Sequence, residues 1–133
     1  MEKFNIKSQK SLNGVKFEEM RDNVRKAFGN DYREMKKTPI SKNTMDAYKE
    51  FHIFYTPDNR MEAIEIFPEN RIIIDDEEMP MEYNDAKTWI KRLDTCATET
   101  NDGITSLSLG ISLYAPDGKT ESILVAKKQY FDW

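Results

Sequence analysis

The clearest hydrophobic pattern in the first third of the chain is a helical stripe that begins at Phe17. Apolar residues recur there at three- and four-residue intervals, which place side chains on one face of an α-helix. Glu18 would lie in the first turn and Arg25 near the end, where their charges complement the helix dipole. Gly29 would then end the helix. The pattern predicts a helix over residues 17–28, with a stripe formed by Phe17, Met20, Val24, Ala27 and Phe28.

A second helical stripe follows Asn84, a residue type that often caps a helix N-terminus. The apolar residues Ala86, Trp89, Ile90 and Leu93 again have helical spacing. This predicts a helix that begins near residue 84. The polar residues 95–103 that come after it are interpreted as a loop.

Strand-like segments occupy much of the remaining chain. They are short, rich in β-branched and aromatic residues, and bounded by turn-forming residues. The strictest alternation of apolar and polar residues runs from Leu107 to Leu113. The predicted strands cover residues 51–56, 61–67, 71–75, 107–113 and 120–127.

Two further segments lack such periodicity. Residues 1–12 are interpreted as a tail or an edge segment, and residues 30–49 as a long connection. A chain of 133 residues is typical of one domain. We therefore predict a single α+β domain over residues 1–133: a mainly antiparallel sheet of about five strands with two helices packed on it.

Two of the predicted hairpins share a sequence pattern. Residues 55–64 align with residues 114–123 at an offset of 59, with Tyr, Pro, Asp, Glu and Ile identical. Turn chemistry accounts for Pro and Asp, and it predicts a left-handed backbone at Asn59 and Gly118. It does not require the shared Tyr or Glu. Two explanations stay open: a helix-plus-hairpin unit used twice, or convergence on a common hairpin. The helices do not keep the offset, which weakens the first.

Charge is unevenly distributed along the chain. The formal net charge is −4, but residues 1–50 carry 12 Lys and Arg against 8 Asp and Glu, whereas residues 51–133 carry 8 against 16. Residues 58–85 hold 10 of those acids and only two bases. Such a distribution disfavours nucleic-acid binding through the acidic part, and it is compatible with a basic protein partner.

The sequence also bears on the compartment. No segment approaches the ~20 apolar residues of a membrane span, so no membrane association is expected. Residues 1–7 are polar and lack the apolar core of a signal peptide. The chain has one cysteine and therefore no internal disulfide. These features favour a reducing cytoplasm.

Residues that could carry enzymatic chemistry are few. His52 is the only histidine, and we interpret it as a half-buried strand residue with an ordinary hydrogen bond. Cys96 is interpreted as a small buried hydrophobe. Glu62 and Glu121 are more typical of turn support than of an acid–base pair. Because no metal-ligand set or glycine-rich phosphate loop is present, we expect no enzymatic activity and no metal or cofactor.

Within the acidic part, residues 75–85 contain six carboxylates and no base. A charge run of this kind is usually a solvated loop. The functional alternative is a rim of carboxylates around Met and Tyr side chains, which steers a basic partner and offers it adaptable apolar contacts. We therefore predict a partner-binding site formed by Asp75, Asp76, Glu77, Glu78, Glu82, Tyr83 and Asp85.

The chain closes on three aromatic residues between positions 130 and 133. The expectation is that they pack on the domain's own core. A partner surface or a self-association site is the alternative.

Several segments together resemble a known group of proteins. They are residues 13–17 before the first helix, the two Tyr-x-Pro-Asp hairpins, and residues 108–117 with 121–125. This pattern is similar to that of small bacterial proteins, some of which are immunity proteins of contact-dependent inhibition and other polymorphic toxin systems. The resemblance implies a cytoplasmic inhibitor that binds a toxin domain, often a basic nuclease, and blocks its active site. It transfers no functional residue, because immunity families bind through divergent surfaces. The alternative function is a structural or regulatory interaction module, including a homodimer through an edge strand or the C-terminus.

Overall fold

The computed structural model describes residues 2–131 and shows an α+β fold in which two helices combine with two sheets. The first half of the chain forms β1 (Lys3–Lys7), β2 (Ser11–Leu12), β3 (Val15–Lys16), α1 (Arg21–Phe28), β4 (Arg33–Lys36), β5 (Thr44–Ala47), β6 (Phe51–Tyr55) and β7 (Met61–Ile66). The second half forms β8 (Arg71–Ile74), β9 (Glu77–Glu78), α2 (Tyr83–Leu93), β10 (Thr98–Thr100), β11 (Gly103–Ser106), β12 (Ile111–Tyr114) and β13 (Ser122–Ala126). The α+β class is confirmed, but the expected number of about five strands is too low.

The larger sheet is antiparallel throughout the described residues and has the strand order β10-β11-β12-β13-β7-β6-β5-β4. Its centre is the β7–β13 pair, in which Ile64 lies opposite Val125 and Ile66 opposite Ile123. On each side of this pair the chain returns through a hairpin, β6–β7 or β12–β13. The two hairpins noticed in the sequence are therefore neighbours at the centre of one sheet.

The smaller sheet has the order β3-β2-β1-β8-β9, with β1 and β8 parallel. Phe4 and Ile6 of β1 are buried in the core, while the other three residues of the strand are exposed. The segment expected to be a tail or an edge thus supplies the middle strand of this sheet. Five residues with only two apolar positions give a weak pattern, and long-range pairing with β8 completes the strand.

One hydrophobic cluster joins both sheets and both helices. It includes Phe4 of β1, Ile72 of β8 and Ile64 of β7, together with Val24 of α1 and Ile90 of α2. All five side chains are fully buried, and burial of an Ile or Val side chain contributes about 1.5–3 kcal/mol. Most apolar positions of both predicted helical stripes therefore face the core, whereas Met20, Ala27 and Leu93 are exposed.

The first helix is shorter than its pattern predicted, because it begins at Arg21 and not at Phe17. Glu18 has a positive φ of 76°, which helical residues do not adopt. Its amide donates to the Met61 carbonyl, and the Met61 amide donates to the Glu19 carbonyl. The backbone before α1 is thus bound to the start of β7, and this tertiary pairing overrides the helical spacing of Phe17.

The prediction that residues 30–49 form a long connection is wrong, because these residues contain β4 and β5. All four residues of β4 are exposed at the edge of the sheet, so this strand has no alternating pattern to detect. On β5 the fully buried residue beside Met45 is Asp46, a polar residue where the pattern for a strand requires an apolar one.

Two further expectations in the second half are also wrong. The polar loop over residues 95–103 contains β10 and the start of β11. The alternation from Leu107 to Leu113 is not one strand, since residues 107–110 form a turn between β11 and β12. Leu107 is exposed there, and Gly110 has a φ of 68°. Only Ile111 and Leu113 of the alternating residues lie on a strand and face the core.

The hairpin turns have the predicted backbone. Asn59 and Gly118 have φ values of 63° and 77°. The strands before the turns are not equivalent in register, however, because Leu113 pairs with Ile123 whereas Ile53 pairs with Ile64. The shared Tyr residues therefore face opposite sides of the sheet.

Candidate protein-binding surface

The acidic segment begins as a tight hairpin turn between β8 and β9. Ile74 pairs with Glu77, so Asp75 and Asp76 are the two turn residues, with φ values of 49° and 71°. Left-handed backbone at both positions is the geometry of a type I′ turn, which suits the right-handed twist of the flanking strands. One carboxylate oxygen of Asp75 accepts a hydrogen bond of 3.0 Å from the Ser8 amide. Two adjacent carboxylates are thereby held at an exposed tip.

The next two predicted residues are bound within the molecule. Arg92 of α2 donates to Glu77 at 2.7 Å, and Arg71 of β8 forms a two-pronged contact with Glu78 at 2.7 and 3.2 Å. The hydrogen bond and charge of Arg71 lower the pKa of Glu78. An exposed ion pair adds little to the free energy of folding. The main effect of these two pairs is therefore to neutralise the charges of Glu77 and Glu78, which the sequence analysis predicted to bind a partner.

Glu82 and Tyr83 also serve the fold. The Glu82 side chain accepts hydrogen bonds from the amides of Asn84 and Asp85 at 3.1 and 2.9 Å, and so caps α2. These bonds lower the pKa of its carboxyl group. The cap is therefore Glu82 and not Asn84. Tyr83 is buried, and its hydroxyl has no hydrogen-bond partner among the described residues. Its ring is thus not available to a partner.

The structure divides the predicted site into parts with different roles. Within residues 2–131, Asp75, Asp76 and Asp85 are exposed carboxylates that form no ion pair. Asp85 lies in the first turn of α2, whereas the other two lie at the tip of the β8–β9 turn. The acidic stretch is continuous in sequence but not in space, since β9 and residues 79–82 separate its ends.

A groove of about 1020 Å³ lies beside the acidic turn on the smaller sheet. Lys7, Lys10 and Lys16 line it together with Asp75 and Asp76. The acidic tip therefore has basic neighbours on the side of this groove.

Sequence reasoning missed the most deeply buried charge. Asp46 on β5 is 0% exposed and accepts hydrogen bonds from Arg21 at 2.8 Å, from Arg25 at 2.8 and 2.9 Å, and from the Tyr55 hydroxyl at 2.9 Å. Burial opposes ionisation of Asp46, but the bonds from Arg25, Arg21 and Tyr55 outweigh it and lower its pKa. The Arg21 guanidinium also lies 4.2 Å from the centre of the Tyr55 ring.

The only sequence signal for this network is the pair Arg21 and Arg25, which lie four residues apart on an amphipathic helix. Nothing in the sequence pairs them with Asp46, which is 21 residues from Arg25. These side chains satisfy the Asp46 carboxylate, although Arg21 Nε is buried without a hydrogen-bond partner among the described residues. We therefore assign the cluster to the architecture and not to a partner.

The other residues considered for chemistry do not converge. His52 is half-buried on β6, 3.6 Å from Glu65 and edge-on to Phe67, in agreement with the interpretation of an ordinary strand residue. Glu62 is the second residue of β7 and lies beside Lys127, whereas Glu121 precedes β13 at the opposite end of the β7–β13 pair. The two glutamates are thus far apart.

The prediction for the cysteine is wrong. Cys96 is exposed, where a buried residue was expected. It follows α2, and its amide donates to the Asp94 side chain at 2.9 Å. This places it in the polar turn that follows the helix, outside the core.

The C-terminal aromatic residues pack within the molecule. Phe131 is buried, and it forms a second hydrophobic cluster with Met45, Phe54 and Ala63 on the face of the larger sheet opposite the main core. Tyr130 packs against the same cluster. Residue 133, the third aromatic, lies outside the described residues.

Residues 2–131 contain no group of three or more His, Cys, Asp or Glu side chains that could hold a metal ion. Over the same range no helix has the length and apolarity needed to span a membrane. Comparison with protein-family models, curated proteins and solved structures found no match. The geometry of the acidic surface is therefore the basis for assigning a function.

Proposed function

We propose that the protein is an immunity protein, which binds and neutralises a bacterial toxin domain through its acidic surface. The toxin would be a basic protein such as a nuclease, and the inhibitor would act in the cytoplasm. The resemblance of residues 13–17 and of the two hairpins to immunity proteins motivates the class of function.

The observation that carries the proposal is the β8–β9 turn. Asp75 and Asp76 lie at the tip of a two-residue turn, are exposed, and form no ion pair within residues 2–131. Carboxylates that are already ion-paired contribute little field, whereas unpaired ones attract a cationic surface during diffusion. The turn is thus the part of the acidic segment best suited to steer a basic partner.

The experiment measures association of the protein with the C-terminal toxin domain encoded beside its gene. Charge reversal by Asp75→Lys and Asp76→Lys should slow association about tenfold at low salt and flatten its salt dependence, because steering raises association rates by ~10–1000-fold. Protection of cells that express the toxin domain should weaken in parallel.

The matched control reverses two exposed acids elsewhere, by Asp31→Lys and Glu69→Lys. Both pairs of substitutions change the net charge equally, so only a local role separates them. If the two double variants associate at the same rate as each other, the turn is not the contact surface. If the unaltered protein neither binds the toxin domain nor protects cells, the immunity function itself is wrong.

A homodimer remains the alternative, and one observation favours it. The larger sheet ends at β4, whose four residues are all exposed, so its outer edge offers unpaired backbone groups to a second chain. A stable dimer in sedimentation experiments without any toxin would support this reading, and a monomer at all concentrations would oppose it.

A further inference from the structure

The turn between β2 and β3 consists of Asn13 and Gly14. Leu12 pairs with Val15 across it, and the two turn residues have φ values of 51° and 80°. Left-handed backbone at both positions is the geometry of a type I′ turn. Both turn residues are exposed, and Asn13 is the only asparagine in the sequence that a glycine follows. The smaller sheet therefore presents an exposed Asn-Gly pair to water.

An Asn-Gly pair has a reaction of its own, since asparagine is a chemically labile residue. The main-chain nitrogen of Gly14 attacks Cγ of Asn13, so that a new N–C bond forms and the bond from Cγ to Nδ2 breaks. Nδ2 leaves as ammonia, and the proton that it takes up balances the one that the Gly14 nitrogen loses. Water then opens the resulting cyclic imide at either carbonyl. The products are aspartate or isoaspartate, in which the main chain runs through Cγ.

The attacking nitrogen is available in the folded protein. Within residues 2–131 the Gly14 amide forms no hydrogen bond. The space around this residue is open, because even an added Cβ would meet no atom within 4 Å. Glycine also has no side chain to block approach to its nitrogen, and it permits the backbone rotation that the attack requires.

The group that is attacked is polarised by the fold. Asn13 Oδ1 accepts a hydrogen bond of 2.7 Å from the Asn5 amide. Negative charge develops on this oxygen when the nitrogen attacks, and a fixed main-chain donor stabilises such charge. The leaving group is held loosely, since Nδ2 lies 3.4 Å from the Lys3 carbonyl oxygen, beyond the usual length of a hydrogen bond.

Asn59 provides a contrast within the same molecule. It is exposed in a turn and has a similar φ of 63°. The residue after it is Arg60, whose amide donates to Thr56 Oγ1 at 3.0 Å. Attack on Asn59 would require that this hydrogen bond break and that a nitrogen beside a bulky side chain approach. The two asparagines therefore share exposure and backbone conformation but differ in the availability of the following amide.

We propose that Asn13 is a site of spontaneous deamidation in the folded protein, with water as the co-reactant. The product adds one negative charge to the smaller sheet. Isoaspartate also lengthens the main chain between residues 13 and 14 and shortens the side chain. It cannot keep both contacts to Asn5, which are the bond to Oδ1 and the bond of 2.7 Å from the Asn13 amide to the Asn5 carbonyl. Deamidation therefore loosens the end of β1 from the β2–β3 turn.

The test incubates the intact protein at mildly alkaline pH, where the attacking nitrogen loses its proton more readily, and follows each asparagine by mass-spectrometric peptide mapping. We expect Asn13 to react at least about tenfold faster than Asn59, because the Arg60 amide must first break its hydrogen bond. A protein isoaspartate methyltransferase identifies the isoaspartate product. Asn13→Gln should lower the methylated amount at least about tenfold, since the longer side chain forms a less favourable ring.

A parallel incubation in urea separates the effect of the fold from that of the sequence. The rate at Asn13 in the folded protein should be no more than about tenfold below the rate in the unfolded chain, since only one hydrogen bond of normal length holds its side chain. A greater reduction would mean that the fold protects Asn13, and it would overturn the proposal. A smaller ratio between Asn13 and Asn59, or unchanged methylation in Asn13→Gln, would overturn it as well. No toxin enters the experiment, so its outcome is independent of the immunity function.

Discussion

The larger sheet has two halves, β4–β7 and β10–β13, and a helix precedes each of them in the chain. The halves share this arrangement but differ in whether they bury a charged side chain. In the first half, β5 places Asp46 toward the core, opposite Ile53. In the second half, β11 places Ile104 at the corresponding position, opposite Leu113. One half buries an ionised carboxylate where the other buries a branched apolar side chain.

The helices that precede the two halves, α1 and α2, differ in the same way. Each carries two cations four residues apart, and one of them contacts a glutamate on the outermost strand: Arg25 contacts Glu34 at 2.9 Å, and Lys91 contacts Glu99 at 2.7 Å. Arg21 turns inward to Asp46, whereas Lys87 stays at the surface on Glu99. Arginine suits the buried position because its planar guanidinium stays charged and donates in several directions, here to Asp46 and three neutral side chains.

The comparison teaches that an equivalent fold does not require a buried ion pair. Burial of two charges costs several kcal/mol each in desolvation, and their attraction offsets this only when the remaining hydrogen bonds are made. The bonds to Asp46 from two arginines and Tyr55 meet that condition for the carboxylate, whereas Arg21 Nε is left without a partner among residues 2–131. The second half reaches the same strand geometry through hydrophobic burial alone.

The largest effect is expected from breaking the buried network. Asp46→Ala should lower the free energy of unfolding by about 3–5 kcal/mol, because Arg21 is left buried without its carboxylate. Urea denaturation measures this. The matched variant Glu99→Gln, which removes the surface carboxylate of the other half, should cost less than about 1 kcal/mol. Equal losses in the two variants would show that the halves do not differ as described.

Since Asp46→Ala could prevent folding altogether, a second variant keeps the comparison testable. Asp46→Ile combined with Arg21→Met gives the first half the apolar solution of the second. We expect it to recover most of the lost stability, as replacement of buried ion pairs by apolar residues of similar volume is often neutral or stabilising. Failure to recover would indicate that Tyr55 or Arg25 needs the carboxylate for its own placement.

The next largest effect concerns the face of the larger sheet that points away from the main core. Phe131 covers Phe54 on this face, whereas Tyr114 is exposed, so truncation of the two side chains should change stability by different amounts. Phe54→Ala should destabilise by about 3 kcal/mol, because it leaves a cavity under Phe131. Tyr114→Ala at the corresponding open position should cost less than about 1 kcal/mol, as the ring has little packing to lose. Thermal unfolding of both variants measures the difference. A large loss for Tyr114→Ala would contradict an open face.

The smallest expected effect is on the stability of the protein at acidic pH. The folded-state pKa of Asp46 lies below its usual value of 3.8, so its bonds contribute stability that is present above pH 3.8 and is lost as the pH falls through the lower folded-state pKa. The free energy of unfolding should therefore decline more steeply below pH 3.8 in the unaltered protein than in the Asp46→Ile, Arg21→Met variant. Parallel pH profiles would exclude Asp46 as a source of acid sensitivity.

Some of the fold could be predicted because the signals were local. The helical stripes around Val24 and Ile90, the turn residues Asn59 and Gly118, and the strands that begin at Phe51 and Met61 needed only spacing and backbone preference. Strands β4 and β10 could not be predicted, since all their residues are exposed and only the neighbouring strand makes them regular.

The candidate site was likewise predictable only where its signals were local. Sequence located the carboxylates but could not show that Glu77 and Glu78 are bound by Arg92 and Arg71, because Arg92 is 15 residues from its partner. It also aligned Tyr55 with Tyr114 as equivalents. A one-residue difference in register places one ring in the core and the other in solvent, since alternate residues of a strand point to opposite faces.

By itself, the sequence determined the α+β class, the two amphipathic helices, the hairpin turns and an acidic stretch between residues 75 and 85. These follow from hydrophobic periodicity, from the backbone conformations that Asn and Gly allow, and from composition. The tertiary structure decided which charges are available. It paired Glu77 and Glu78, buried Asp46 between two arginines and left Tyr114 uncovered. Such choices depend on contacts between residues distant in the chain, for which spacing along the chain carries no information.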